Sequence, residues 1–229
     1  MRRLGIAAAH HVAGYPPRMA PLIVDEATLP IGVRILADSD PDLLAVVERH
    51  GPPPLWAREP GFETLVRIIL EQQVSLASGA AAYARLERAV GSVDPGSVGH
   101  ATHYVLEAAG LTRQKVRYVR ALAAAVADGS LDLEGLAILD DGTVRRRLCA
   151  LPGIGTWTAD VYLLMALGRS DVWPAADIAL AASVARVKHL PTRPTTVEMD
   201  RLAEPWRPWR AVAARILWHA YLAEREGHS

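Results

Sequence analysis

The chain has 229 residues and a formal net charge of zero, so it is long enough for one large domain or two small lobes, and no overall charge attracts it to a polyanion. Hydrophobic residues make up 51% of the sequence, with alanine and leucine prominent, and this composition predicts an all-α protein. The single cysteine, Cys149, excludes an internal disulfide, a four-cysteine iron–sulfur cluster and a zinc site built on thiolates.

The N-terminal part predicts a partly ordered tail over residues 1–29, followed by short helices. Its start, "MRRLGIAAAHHVAG", has an apolar patch broken by two histidines, which argues against a signal peptide. No apolar run reaches the roughly 18 residues of a membrane span. A first clear helix has Asp40 as its cap, Pro41 in its first turn and Gly51 as its stop. We therefore expect a cytoplasmic protein without a membrane partner.

The middle of the chain is predicted to form a series of helices after the proline-rich linker "GPPPLWAREPG". "FETLVRIILEQQV" and "SLASGAAAYARLERAVG" predict two helices joined tightly near residues 73–75. Two further helical segments close on Gly110 and Gly129, which are C-terminal stop signals. "DDGTVRRRLCAL" predicts a short helix that leads into a turn at residues 152–155.

Three helices complete the predicted architecture. One begins at Thr156, one follows Asp177, and the last is "RPWRAVAARILWHAYLAERE" with Pro208 in its first turn. There is no internal repeat, which argues against a helical-repeat scaffold. The sequence therefore predicts ten or so helices and no sheet.

The turn before Thr156 contains two glycines, Gly153 and Gly155. Glycine permits positive φ and leaves the backbone bare, so the free N–H groups of the following helix can bind a phosphate. An ordinary tight connection between helices explains the two glycines alone equally well. Such phosphate contacts hold a duplex in register but do not read its sequence.

Asp177 follows a Pro-Ala-Ala run about twenty residues after this turn. Pro174 stiffens the approach, and the small Ala175 and Ala176 leave room for a sugar. An ionised carboxylate in a water-poor pocket stabilises positive charge that develops on a sugar. The same position before a helix also suits an N-cap, and the two roles are compatible.

Three separated motifs in the expected order give the chain a resemblance to the helix-hairpin-helix superfamily of base-excision DNA glycosylases. "LPGIGTWTA" resembles the hairpin, and "VRIILEQQVSLASGAAAYARL" looks like the helix pair that carries the residue pushed into the duplex. "EPWRPWRAVAARILWHAYL" is similar to the closing segment of the DNA-3-methyladenine glycosylase II group. The resemblance runs from about residue 40 to 225.

The resemblance implies an all-α fold of two lobes with a catalytic cleft between them. The central lobe would comprise residues 60–166 and contain the hairpin (about 143–168), and the second lobe would combine residues 30–59 with 167–229. The N-terminal β-domain of the bacterial enzyme is expected to be missing, because too few residues precede Asp40.

By the same resemblance, Asp177 is the catalytic residue of an enzyme that hydrolyses alkylated bases from double-stranded DNA. Trp157 stands where bifunctional relatives place a lysine, and tryptophan offers no nucleophilic nitrogen, so the enzyme is expected to be monofunctional. The alternatives are a glycosylase for oxidised or mismatched bases and a non-catalytic helix-hairpin-helix DNA-binding protein.

Base flipping needs a wedge for the gap in the duplex and a pocket for the base. The resemblance implies Gln73 as the wedge in place of leucine, with Val74 and Ser75 as neighbouring candidates; a polar helix C-terminus is the structural alternative. An aromatic face attracts a cationic alkylated purine. Trp218 fits either the pocket or the core, and Trp206 and Trp209 are assigned to the core. The candidate pocket residues are Trp157, Trp218, Val161 and Trp173.

The hairpin is also the expected site of DNA phosphate binding and of a structural cation. The implied phosphate-binding residues are Gly153, Ile154, Gly155, Thr156 and Thr158. The family implies a monovalent cation, Na⁺ or K⁺, on the carbonyls of Cys149, Leu151 and Ile154, and no other cofactor. The expected partners are damaged double-stranded DNA and the enzymes that process abasic sites downstream. We expect a monomer, associated with the nucleoid if the source is bacterial.

Two clusters of charged or metal-binding side chains have simpler interpretations. Residues 145–147, three consecutive arginines before the hairpin, could contact phosphate, but such a run is more often a solvated face. His100 and His103 have a ligand-like spacing without a carboxylate or thiol nearby, and we interpret them as surface residues.

Overall fold

A computed structural model describes residues 22–226 of the chain. Across that range the chain forms twelve α-helices and two short 3₁₀ segments, and extended pairing is limited to an isolated antiparallel bridge between Ile23 and Arg169. The predicted all-α fold is confirmed. The helices are α1 Leu29–Ser39, α2 Pro41–His50, α3 Phe62–Glu71, α4 Leu76–Val90, α5 Pro95–His100, α6 His103–Ala108, α7 Arg113–Ala127, α8 Asp141–Cys149, α9 Thr156–Met165, α10 Ile178–Val187, α11 Thr196–Ala203 and α12 Arg210–Glu226.

The helices pack in two groups, each around one largely buried helix. In the first group α3 contacts α4, α7 and α9, and α8 packs on α9. In the second group α12 contacts α1, α2 and α10. Residues 65–66 and 68–70 of α3 and residues 211–214 of α12 are fully buried, as expected for helices at the centre of a bundle. The exact lobe boundaries, at residues 59/60 and 166/167, stay a prediction.

Arg215 of α12 joins the two groups. Its guanidinium is 1% exposed and donates to the carbonyls of Leu55 in the linker and Leu164 in α9, at 2.8 and 2.9 Å. Burial lowers the pKa of Arg215 to about 10. A buried arginine that satisfies backbone carbonyls on two other segments fixes α12 against the first group.

The structure adds detail at the N-terminal end of the described chain and corrects the prediction at the start of the final helix. Residues 22–28 lie within the predicted, partly ordered tail: the Val24 amide donates to the Gly168 carbonyl at 2.6 Å, and α1 begins at Leu29. Residues 1–21 lie outside the described residues. The final helix begins at Arg210, so Pro208 precedes it, because the amide of Trp209 closes a turn onto the Trp206 carbonyl at 2.7 Å.

Asp40 is the centre of a polar cluster that ties α2 to the chain after α10. Its carboxylate caps α2 and accepts hydrogen bonds from Lys188 Nζ at 2.7 Å and Trp206 Nε1 at 2.8 Å. Burial raises the pKa of Asp40, but the hydrogen bonds from Lys188 and Trp206, the charge of Lys188 and the Leu43 amide together lower it by more, so the net pKa is below its usual value. Trp206 is therefore a core residue, as predicted.

This cluster predicts a pH-dependent contribution to the stability of the fold. Because the folded pKa of Asp40 is depressed, its contribution is present above the unfolded value of about 3.9 and is lost as pH falls through the folded pKa. We expect Asp40→Asn to lower the free energy of unfolding at pH 7 by about 1–3 kcal/mol and to flatten its fall below pH 5. Urea unfolding from pH 7 to pH 3 measures both effects. Asp38→Asn, an exposed neighbour, is the control, and an unchanged pH profile for Asp40→Asn would contradict the prediction.

Candidate active site

The turn between α8 and α9 has the geometry of an anion-binding hairpin. Gly153 has φ +83°, a conformation that favours glycine. Gly155 is the N-cap of α9, and since it has no side chain, it leaves the first amides of the helix uncapped. The first backbone bond of α9 runs from the Ala159 amide to the Gly155 carbonyl. The amides of residues 156–158 therefore have no acceptor within the helix and can bind a phosphate at the positive end of its dipole.

Not every predicted hairpin residue offers its side chain to a ligand. The side chain of Ile154 is buried, and Thr158 is 1% exposed. The Thr158 hydroxyl accepts a hydrogen bond from Gln72 Nε2 at 2.9 Å. Thr158 can therefore contribute its backbone amide to phosphate binding, but its side chain is used to hold the hairpin in place.

Two interactions that the sequence did not reveal hold α8 and the turn. Arg145 of α8 donates through Nε to the buried carboxylate of Asp160 in α9, so Arg145 braces the hairpin, and a phosphate contact by residues 145–147 stays a prediction. Burial raises the pKa of Asp160, and Arg145 opposes that shift. The ring of Tyr118, from α7, packs directly on Gly153: a Cβ at that position would lie 2.1 Å from Tyr118 Cγ.

Asp177 lies at the start of α10 with its carboxylate half-buried. The turn that precedes it is closed by the Asp177 amide, which donates to the Pro174 carbonyl at 2.9 Å. One carboxylate oxygen, Oδ1, accepts from the Leu180 amide at 2.7 Å, which is the N-cap interaction. The next residue, Ile178, is 70% exposed, so the helix end that carries the carboxylate is at the surface.

Two tryptophans donate to the same carboxylate. Trp157 Nε1 donates to Asp177 Oδ2 at 2.7 Å, and Trp218 Nε1 donates to Oδ1 at 3.2 Å. Trp157 is half-buried and lies in the first turn of α9, whereas Trp218 is 9% exposed in α12. Together with the bond from the Leu180 amide, these two hydrogen bonds fix the orientation of the carboxylate. Trp157 thus lies between the free amides at the start of α9 and the carboxylate.

The other two candidate pocket residues are more deeply placed. Val161 is 4% exposed, one turn after Trp157 on α9. Trp173 is also 4% exposed, and its ring meets Trp206 edge to face at 5.4 Å. Trp209, at 8% exposure, is a core residue as predicted. Trp173 therefore packs in the second helix group, and its role in a base pocket stays a prediction.

The candidate wedge residues form the α3–α4 loop. Gln73 is exposed and has φ +57°, which is unusual for a residue with a side chain. Val74 is 46% exposed, and the Ser75 hydroxyl caps α4 by accepting from the Ser78 amide. Leu76, the first residue of α4, is 58% exposed and was not singled out from the sequence. The loop thus presents one amide and two apolar side chains to solvent.

The hairpin carbonyls agree in type with the implied monovalent cation. Cys149 is the last residue of α8, and Leu151 and Ile154 lie in the turn after it. The Cys149 carbonyl is at the C-terminal end of α8, where carbonyls lack partners within the helix and carry the negative end of its dipole, so it suits a cation. The Leu151 carbonyl also accepts from the Ile154 amide at 3.2 Å, which occupies one of its two lone pairs.

Other candidate features of the described chain have simpler explanations than a functional site. A depression of about 570 Å³ lies between the linker and α3, but its arginines, Arg58 and Arg67, are bonded to its own glutamates, Glu71 and Glu63. Within residues 22–226, no group of three or more His, Cys, Asp or Glu side chains is placed to hold a metal ion. His100 and His103 are exposed there, as interpreted from the sequence. In the same range no helix has both the length and the apolar character needed to cross a membrane.

Comparison with known proteins decides the family. Residues 66–208, which include the hairpin and Asp177, match the model of the HhH-GPD superfamily of base excision DNA repair proteins. The chain belongs to the HhH-GPD superfamily. This HhH-GPD chain is 34% identical over 192 residues to a Mycobacterium tuberculosis protein named "Probable bifunctional transcriptional activator/DNA repair enzyme AlkA", covering 79% of this chain and 37% of that protein. The chain thus spans little more than a third of that relative.

Solved structures share the fold of this HhH-GPD protein. The Schizosaccharomyces pombe 3-methyladenine DNA glycosylase bound to abasic DNA has a TM-score of 0.77 at 24% identity, with 82% of this chain and 95% of that chain covered. A Bacillus halodurans DNA-3-methyladenine glycosidase has a TM-score of 0.70 at 28% identity, with 85% and 91% covered. The superfamily predicted from three sequence motifs is confirmed.

Proposed function

We propose that this protein is a monofunctional DNA glycosylase of the DNA-3-methyladenine glycosylase II type, which removes alkylated bases from double-stranded DNA. The observation that carries the proposal is the position of Trp157. Its indole N–H bonds the Asp177 carboxylate, while its backbone amide belongs to the free first turn of α9. A strand held by those amides would bring its sugar close to the carboxylate.

The proposed chemistry uses Asp177 to stabilise the sugar. As the bond between C1′ and the base nitrogen breaks, the base leaves with the electron pair and positive charge develops on the deoxyribose. An ionised carboxylate held by three donors stabilises that charge. Water then adds to C1′ and loses a proton to the carboxylate or to solvent, which leaves an abasic site. A cationic alkylated purine leaves readily, so reactivity would supply part of the selectivity.

The remaining functional assignments belong to the same proposal. Gln73, with Val74 and Ser75, would fill the gap that the flipped base leaves, and the hairpin amides would hold the backbone. Trp157, Trp218, Val161 and Trp173 would line the base pocket. Damaged duplex DNA and downstream abasic-site enzymes would be the partners of a cytoplasmic, nucleoid-associated monomer. The hairpin cation is part of the proposal, and it would support the turn without taking part in the chemistry.

A panel of lesion-bearing duplexes tests the proposed function. We expect release of 3-methyladenine and 7-methylguanine from duplex DNA, with strand breakage only after alkaline or heat treatment, because no lysine stands at position 157. Hypoxanthine, 1-methyladenine and 8-oxoguanine substrates define the range of bases accepted. Preferred release of 8-oxoguanine would favour the oxidised-base alternative. Binding without release of any base would favour a non-catalytic DNA-binding protein, and borohydride trapping of a covalent complex would exclude the monofunctional mechanism.

A further inference from the structure

The α3–α4 loop is bonded to the hairpin by a side chain with no assigned role. Gln72, the residue before the candidate wedge, donates through Nε2 to the Gly153 carbonyl and to the Thr158 hydroxyl, both at 2.9 Å. The two acceptors lie in the turn and in the first turn of α9. A single primary amide has two N–H donors, and both are used here.

A lysine holds the same loop through its backbone carbonyls. Lys115 of α7 donates through Nζ to the Leu70 carbonyl at 2.7 Å and the Gln72 carbonyl at 3.2 Å. These carbonyls belong to the end of α3, where a cation satisfies acceptors that the helix leaves free. Lys115 is half-buried, and this burial lowers its pKa.

The same face of α7 also contacts the hairpin. Tyr118, one turn after Lys115, packs its ring on Gly153. The end of α3, the hairpin and α7 are therefore linked pairwise: Gln72 to Gly153, Lys115 to Gln72, and Tyr118 to Gly153. The backbone of Gln73, the next residue, is in the left-handed region, a strained conformation that persists where the surrounding structure holds it.

We propose that Gln72 and Lys115 are positioning residues that join the wedge loop and the phosphate-binding hairpin into one rigid unit. The inference rests on the proposed function, and it adds the coupling between phosphate binding and base flipping. When the hairpin binds the backbone of the duplex, the wedge is already at a fixed distance from it. The conformational entropy of the loop is then lost when the protein folds, and not again each time a base is flipped.

The test compares Gln72→Met and Lys115→Met, which keep the length of each side chain and remove its donors. For a lesion in a matched duplex we expect either variant to lower the single-turnover excision rate about ten-fold, in line with the loss of a supported side-chain position. For the same lesion opposite an abasic site, where less unstacking is needed, the loss should be within about two-fold. The double variant should lose little more than either single one, because both changes release the same loop.

Gln114→Met is the matched control, since Gln114 lies on α7, is exposed, and bonds Tyr118 without contacting the loop. It should excise like the wild type from both duplexes. Equal losses on the two duplexes, or no loss on either, would overturn the coupling.

Amide hydrogen exchange in the free protein tests this inference without depending on the proposed function. Gln72→Met should speed exchange in both segments 72–76 and 151–158, whereas Gln114→Met should not. If the wild type releases no base, the proposed function fails, and this measurement still decides whether the two segments move as one unit. Faster exchange in segment 72–76 alone would overturn the inference.

Discussion

Asp177→Asn is expected to lower the rate of base excision by at least about 10³-fold while duplex binding and folding are retained. The change removes the negative charge that would face the developing positive charge on the sugar. The loss of a main electrostatic stabiliser of a transition state lowers a reaction rate by about this factor. Asparagine is as good an N-cap as aspartate, so the bond to the Leu180 amide can persist. Single-turnover release of 3-methyladenine and a binding titration on the same duplex measure the two properties.

The control for this experiment is Asp94→Asn. Asp94 caps α5 by accepting from the Ser97 amide at 2.8 Å, so the same substitution alters a cap of the same kind outside the candidate site. It should leave excision unchanged. Undiminished excision by Asp177→Asn would refute the catalytic assignment, whereas loss of binding together with excision would point to a structural role.

Gly153→Ala is expected to lower the free energy of unfolding by about 2–4 kcal/mol, through two effects that act together. For a residue with a side chain, the left-handed conformation that Gly153 adopts at φ +83° costs about 1–2 kcal/mol. The new Cβ would also lie 2.1 Å from Tyr118 Cγ, so the ring or the turn must move. For a chain of this length the melting temperature should fall by about 5–15 °C.

Gly155→Ala is the matched comparison, two residues along the same turn. Gly155 has φ −94°, and a Cβ there would meet nothing within 4 Å. Its stability should change by no more than about 0.5 kcal/mol. Thermal and urea unfolding of both variants measure the difference. Similar melting temperatures for the two variants would show that the hairpin tolerates movement of Tyr118.

The prediction from sequence succeeded where the signals are local. The cap of α2 at Asp40, its stop at Gly51 and the start of α9 at Thr156 lie where capping and glycine patterns indicate. It missed α1, because Pro30 and Gly32 are typical breakers. Pro30 lies in the first turn, and Gly32 is needed because a Cβ there would lie 2.7 Å from the Trp209 ring.

The sequence by itself determined the helical fold, the hairpin and the position of Asp177 after it, since each depends on residues that are close along the chain. Only the tertiary structure decided what surrounds them. The bond from Gln72 to Gly153 spans 81 residues, and the bond from Trp218 to Asp177 spans 41. Such contacts form when helices pack, and helix packing depends on the shapes of whole buried surfaces that no local pattern records.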